Sequence, residues 1–534
     1  MSSLLKNKSL YAIVKMVMVM VKDDNEKWKK FKIGFVIWLL IFTIGLINKE
    51  FQNDTFYTIK IGKLILANGI DMMDHFSFHT GLAYTYPHWL YDCFIYLIYN
   101  YFGYTGIYIS SIIFMFIILL LVFKTSVKIT NNYIISGFST FICALAISGF
   151  VTARAQTISF ILFVLEIYFI ECFLKNGKKK YLVGLLLISL IICNVHVAVW
   201  PFYFILYLPY LAEYVISLII NKVKIKKENK FINFLKKKIV LERNENIKYL
   251  FLVMIVSLGT GLITPIGDTP YTYLIKTMMG NSQKYIQEHQ MISWINSPFT
   301  IIIAGETIFL ACFSKIKLRD LFMIGGLSIM SVFSIRHISL LALIGTICFA
   351  RVFSMFFENY NFNVNDRILN FFSKKKVLAI FYLVVIIFSS GMFYYQSRKD
   401  YINKKLYPVD AVKYIKENID INQMRIFNDY NFGSYLLLND IPVFIDSRAD
   451  LYTKEFSGFD YDIFDDYEFI GNNFQEKFNF YGITHVLMYK KAEKNGDNFL
   501  YKVLETNGNY RILYEDKYFA FFEKTGDYFL NITY

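Results

Sequence analysis

No cysteine stands in a polar stretch of this sequence. Cys93, Cys143, Cys172, Cys193, Cys312 and Cys348 all fall in apolar runs, and the polar C-terminal region has none. That excludes a disulfide framework and a CxxC metal site. No Walker A, GxGxxG, HExxH or Ser-His-Asp pattern is visible, so nucleotide hydrolysis and proteolysis have no support. There is no internal repeat and no low-complexity tract. The first residues hold only a short apolar run, 10–21, broken by Lys15 and without a small-residue cleavage site. It reads as an amphipathic helix on the inner membrane surface rather than a signal peptide.

What is abundant is apolar surface. At 55% hydrophobic and 19% aromatic residues, with mean hydropathy +0.40, a single soluble globule is excluded. Runs of roughly 15–20 apolar residues alternate with charged clusters, as in a multi-spanning membrane protein. The net charge of +14 does not indicate nucleic acid, because the basic excess sits in short loops between apolar runs. Heavy use of Ile, Lys, Asn, Phe and Tyr suggests a bacterial chain from an AT-rich genome, in which the sequons at Asn53 and Asn531 are accidents.

Apolar runs fall near 33–47, 88–101, 104–123, 133–150, 156–174, 181–195, 199–220, 249–264, 299–313, 320–335, 338–353 and 377–395. If all crossed, the basic segments 175–180 and 221–248 would lie outside, against the positive-inside rule. Making 89–102 non-spanning removes both conflicts. It is short and crowded with Trp89, Tyr91, Phe94, Tyr96, Tyr99 and Tyr101, which suits a helix in the headgroup belt. About eleven crossings remain, with the N-terminus inside and the C-terminus outside. The polar residues that interrupt the runs then all emerge externally: Arg154, Asn194, His196, Asp268, Glu288, His289, Arg336 and His337. Ionisable groups at membrane depth are costly and usually face a cavity or a partner.

From about Arg398 the pattern becomes soluble. A helix is expected from Pro408, with strands at 425–427, 442–445, 484–489, 510–514 and 518–523. The domain plan is therefore an amphipathic N-terminus (1–31), a membrane domain (32–397) with an external loop (48–88), and an external α/β domain (398–534).

That external loop carries Asp54, Asp71, Asp74, His75, His79 and His88, with Gly69 and Gly81 bounding a turn. Packing explains so polar a loop poorly; chemistry at a membrane surface explains it well. Its order of words is an Asp after the first span, the amphipathic I-K-I-G-K-L-I-L, N-G, D-x-F-S and H-W-L. This resembles the first external loop of GT-C-type membrane glycosyltransferases.

The resemblance implies a polytopic α-helical enzyme that moves a sugar from a polyprenyl-phosphate carrier to an acceptor outside the cytoplasm, with inversion. It places the chain in the bacterial plasma membrane and leaves the acceptor open among glycan, lipid and protein. The acidic residue after the first span is the family's catalytic residue, which is Asp54 here. A carboxylate suits that role because the acceptor hydroxyl must lose a proton. The alternative is that Asp54 caps the following helix. Asp71, Asp74 and Glu288 are second-carboxylate candidates, although turn formation is the plainer role for the first two. Some relatives need a divalent ion. Mg or Mn on Asp54 and Asp74 is the option this leaves open.

Arg154, Arg336, His337 and His196 are the candidates for holding the donor phosphate, since a guanidinium fork binds phosphate oxygens bidentately. T-A-R-A-Q resembles an S/T-x-R-P-Q word in related sequences, with Ala155 in place of proline. Relatives carry N-x-H at Asn194–His196, and Glu288 resembles the acid of an I-x-E-W word, with His289 where tryptophan would be. Snorkelling to the interface is the alternative for Arg336, and an interior hydrogen bond is the alternative for His196. F-N-D-Y-N-F-G-S-Y-L and P-V-F-I-D-S-R-A-D-L-Y resemble a domain appended to one subgroup, with Asp446 and Arg448 set for an ion pair. A lipid-linked polymerase or ligase, or a lipid or solute transporter, are the competing functions. The chain has no inverted repeat or paired broken spans for transport, and its longest external loop comes early rather than late.

Overall fold

The computed structural model describes residues 26–222, 238–280, 298–360, 375–491 and 498–526. Helix α1 (Glu26–Leu46) is followed by α2 (Asn53–Asn68), which opens the 48–88 loop, and then by α3 (Trp89–Thr130). Next come α4 (Tyr133–Ile147), α5 (Ala155–Asn176) and α6 (Lys180–Val195). A broken helical stretch, Val197–Ile220, leads to α7 (Ile247–Leu258) and the short α8 (Thr269–Met279). Helices α9 (Pro298–Phe313), α10 (Leu318–Phe333), α11 (Thr346–Asn359) and α12 (Lys375–Ser397) complete the bundle.

Among the described residues, five helices are long and apolar enough to cross a membrane: Trp89–Thr130, Ala155–Asn176, Val197–Ile220, Ile335–Asn359 and Ala379–Ser397. Shorter apolar helices stand at five further runs, Lys32–Leu46, Tyr133–Ile147, Lys180–Val195, Ile247–Leu262 and Thr300–Phe313. The apolar run 10–21 and most of the basic loop 221–248 lie outside the described residues.

Helix α3 is not continuous. Gly103 has φ 60° and ψ −158°, a conformation that side-chain-bearing residues rarely adopt, and it separates 89–102 from the long apolar run after it. The first segment lies across α2 at Gly62. A Cβ on Gly62 would meet the Asp92 carbonyl oxygen at 2.1 Å, so only glycine permits this approach.

The other end of the bundle is closed by charge. Arg351 pairs with Glu171 at 2.5 Å and with Asp320 at 3.5 Å, while Arg319 reaches Glu242 at 3.1 Å and Glu213 at 3.4 Å. Glu171 stands seventeen residues along α5 from Arg154, or about 25 Å at 1.5 Å per residue. This ion cluster is therefore remote from the 48–88 loop.

After α12 comes a small α/β unit. Helix α13 (Val409–Asn418) follows Pro408, as the sequence predicts. The sheet holds β1 (Ile426–Asn428), β2 (His485–Tyr489), β3 (Tyr510–Glu515) and β4 (Phe519–Lys524) in the order β1-β2-β4-β3. β1 and β2 are parallel; β4 runs antiparallel to both β2 and β3. The expected strand at 442–445 does not join this sheet. Val443 instead makes a parallel bridge to Ser77 of the 48–88 loop, with Phe78 N donating to Val443 O at 3.2 Å. Pro442 has no N–H to give a ladder, and the loop offers the pairing that the sheet does not.

Candidate functional site

The 48–88 loop is built around α2. Gln52, not Asp54, is its N-cap, and no side chain makes a cap hydrogen bond there. Asp54 lies in the first turn, so the capping alternative does not describe it. Gly69 closes the helix at φ 85°, and its N–H reaches Ile65 O at 2.8 Å. The C-terminal unit holds α2 from the far side. Phe56 meets Tyr407 and Tyr435 edge-on at 5.0 and 5.3 Å, and the Asn53 amide donates to Tyr430 O at 2.8 Å.

Asp54 Oδ2 lies 2.6 Å from Arg154 Nη2, and both side chains are partly exposed to one cavity of about 1050 Å³. Arg336, His337, His88, Gln156 and Ser339 line the same cavity. Gln156 Nε2 donates to Ser339 Oγ at 3.2 Å, joining the T-A-R-A-Q and S-I-R-H-I-S words. Arg336 is half-buried, and its guanidinium has no hydrogen-bond or ion-pair partner among the described residues. An arginine so placed is a ready anion site. His337 Nδ1 donates to Met330 O at 3.0 Å, so in the neutral ring Nε2 carries the lone pair.

The C-terminal unit also contributes to the lining, with Tyr430, Ser447, Asp450, Tyr467 and Glu468. The Tyr273 hydroxyl of α8 donates to Asp450. The lining also has apolar residues, Phe160, Phe163, Phe202, Met330 and Phe333. One chamber thus offers cations, a carboxylate and an apolar lining together.

Against solved structures, the chain matches the oligosaccharyltransferase of Archaeoglobus fulgidus. The apo form aligns with TM-score 0.56 at 10% identity, covering 86% of this chain and 69% of that one. The fold is of GT-C type. A second structure of that enzyme, tethered to an acceptor peptide containing the NVT sequon, gives TM-score 0.53 at 10% identity over 86% and 69% of the two chains. A third, its complex with Zn and sulfate, gives 0.52 at 10% identity over 86% and 68%. No family model matches the sequence, and no curated protein does.

Within this GT-C fold, several expected site residues lie elsewhere. Asp71 is off the cavity, more than half exposed, with Oδ2 2.7 Å from His75 Nε2 and Oδ1 accepting from Met73 N. Asp74 is buried. Its Oδ1 takes Arg448 Nη1 at 2.6 Å, and its Oδ2 takes the Ser77 hydroxyl and N–H at 2.6 and 2.9 Å. Burial alone would raise the Asp74 carboxyl, but the Arg448 charge and the Ser77 hydrogen bonds hold it below its ordinary value. Neither residue is a spare second carboxylate. Glu288 and His289 fall outside the described residues.

His196 does not reach the cavity surface either. It is buried behind His88, with ring centroids 5.2 Å apart and Nδ1 3.0 Å from Ser159 Oγ. The interior reading therefore applies to it. Asn194 is structural, accepting from Trp89 Nε1 at 3.2 Å, and Asp268 is the exposed N-cap residue of α8.

A divalent cation does not fit the pair from which it was expected. Asp54 faces Arg154, and both oxygens of Asp74 are engaged. Among the described residues no three His, Cys, Asp or Glu side chains stand close enough to share an ion. Beside Asp54, the positive charge is the guanidinium of Arg154.

The residue missed as a site candidate is His88. Burial, together with the Arg336 and Arg154 charges, pushes it down to about 3, so it is a neutral ring at the cavity wall. The H-W-L word contained it, but nothing in the word tells a wall residue from a packing one. His79, its neighbour in the loop, packs instead: burial pushes it down to about 4, and its neutral Nε2–H donates to Phe444 O at 2.9 Å.

Proposed function

We propose that this chain transfers a sugar from a polyprenyl-phosphate-linked donor to an acceptor at the external face of a bacterial plasma membrane. One observation carries the reading: the Asp54 carboxylate, oriented by Arg154, shares a cavity with the guanidinium of Arg336, which has no counter-ion among the described residues. In this reading Arg336 holds the phosphate, the apolar lining takes the start of the polyprenyl chain, and Asp54 accepts the proton of the attacking hydroxyl. Attack on the face opposite the phosphate gives inversion. The GT-C fold shared with an oligosaccharyltransferase supports a lipid-linked glycosyl donor as the substrate class.

The test is transfer from a radiolabelled polyprenyl-phosphate hexose by the purified chain in nanodiscs, with Arg336→Ala as the informative variant. Loss of one charge-assisted contact costs about 1.5–3 kcal/mol, so donor affinity should fall roughly ten- to a hundredfold while the fold is kept. Parental affinity in a folded Arg336→Ala would remove the phosphate assignment.

Orientation is part of the same reading. In an otherwise cysteine-free chain, a cysteine at Lys517 should react with an impermeant maleimide in intact cells, and one at Lys178 should not; both positions are exposed. The reverse pattern would put the cavity on the wrong side for an external acceptor.

A further inference from the structure

Arg448 is the most tightly held charge at the cavity. Its Nε and Nη2 donate to the two oxygens of Asp446 at 2.9 and 2.7 Å, and its Nη1 reaches Asp74 of the external loop at 2.6 Å. The side chain is 3% exposed and lies over the rings of Tyr84, at 5.0 Å, and Phe76, at 5.6 Å. Asp446 is itself fixed by the Tyr452 hydroxyl at 2.7 Å. A planar fork can grip one carboxylate bidentately and a second one sideways; a lysine ammonium cannot.

This clasp joins parts far apart in the chain. Asp74 belongs to the loop that begins with Asp54. Arg448 belongs to the turn 446–450, which contributes Ser447 and Asp450 to the cavity. With two carboxylates upon it, the Arg448 charge is not available to a phosphate. Of the other cations on the cavity lining, Arg154 is paired with Asp54, and Arg336, from the membrane helices, draws the donor there. The turn 446–450 is left for the other reactant.

We propose that Arg448 is a positioning residue for the acceptor: it clamps the 446–450 turn onto the external loop, so that this turn forms the acceptor side of the Asp54 cavity. The proposal rests on the transfer reading above. Arg448 touches no reacting atom in it; the residue acts through Ser447 and Asp450, whose place it sets.

The experiment uses the full chain in nanodiscs, with the polyprenyl-phosphate hexose as donor. The acceptor probes are p-nitrophenyl glycosides and an Asn-x-Thr peptide, and KM is taken for whichever probe the parent turns over. Arg448→Lys keeps the charge and loses the fork. Asp74→Asn keeps the shape and loses the charge. Both should raise the acceptor KM about tenfold or more, with donor affinity within about twofold of the parent, and the double variant should be little worse than either single one. A merely structural clasp would lower thermal stability, donor binding and transfer together, and that outcome overturns the proposal. An unchanged acceptor KM in either folded variant overturns it too, while parental transfer keeps the function itself intact. Absence of transfer by the parent with every probe would overturn both.

Discussion

Asp54→Asn is expected to lose about 10²–10⁴ in turnover, the usual range for removing a general base. The substitution keeps the shape of the side chain, and the amide oxygen can still accept from Arg154 Nη2, now 2.6 Å from the carboxylate. It also spares the helix cap, because Gln52 is the cap residue and Asp54 is the second residue of the first turn. What the helix loses is a first-turn charge, worth about 0.3–1 kcal/mol. Stability and donor binding should therefore stay near the parent's while transfer collapses. Single-turnover transfer in nanodiscs measures the chemistry apart from product release. Near-parental transfer would end the candidacy of Asp54 and move the base to Asp450 or Glu468, the remaining carboxylates on the cavity lining.

Asp446→Ala should be the most damaging change outside the catalytic residue. Asp446 is 0% exposed and supplies both oxygens of the bidentate grip on Arg448. Removing it leaves a buried guanidinium with one carboxylate where it had two, and breaking a buried pair typically costs about 3–5 kcal/mol. It also orphans the Tyr452 hydroxyl. The damage should be local to the loop and the C-terminal unit, since the bundle's own ion cluster at Arg319 and Arg351 is untouched. A drop in thermal stability with early proteolysis after Ser397 is the expected result. A melting curve and digestion pattern like the parent's would mean that the clasp carries little of the fold's stability.

Much of the helical plan was legible along the chain, and the reason is physical. A membrane-spanning helix needs a continuous apolar run of set length, so its existence is written locally. The break at Gly103 falls between two apolar runs that charge counting had already separated, because only glycine takes that backbone conformation readily. The turn at Gly69 was legible for the same reason. Strands 425–427, 484–489, 510–514 and 518–523 could be read from their β-branched and aromatic residues, and four strands are found at those places. The segment 442–445 has the same composition. Its partner proved to be the loop at Ser77, which no local pattern specifies.

The site divides in the same way. The sequence by itself determined that Asp54 follows a span and that Arg154 and Arg336 interrupt apolar runs, because charges among apolar residues stand out at any distance along the chain. It also determined an α/β unit after the last helix. Only the tertiary structure decided that Asp54 meets Arg154 across 100 residues, that Arg336 has no counter-ion among the described residues, and that His196 sits behind the wall while His88 forms it. It alone assigned Asp74 to Arg448 rather than to a metal or a second proton transfer. A carboxylate's role is set by which charge ends up beside it, and over separations of 100 to 374 residues that is settled by packing, such as the glycine-only contact at Gly62, and not by anything local.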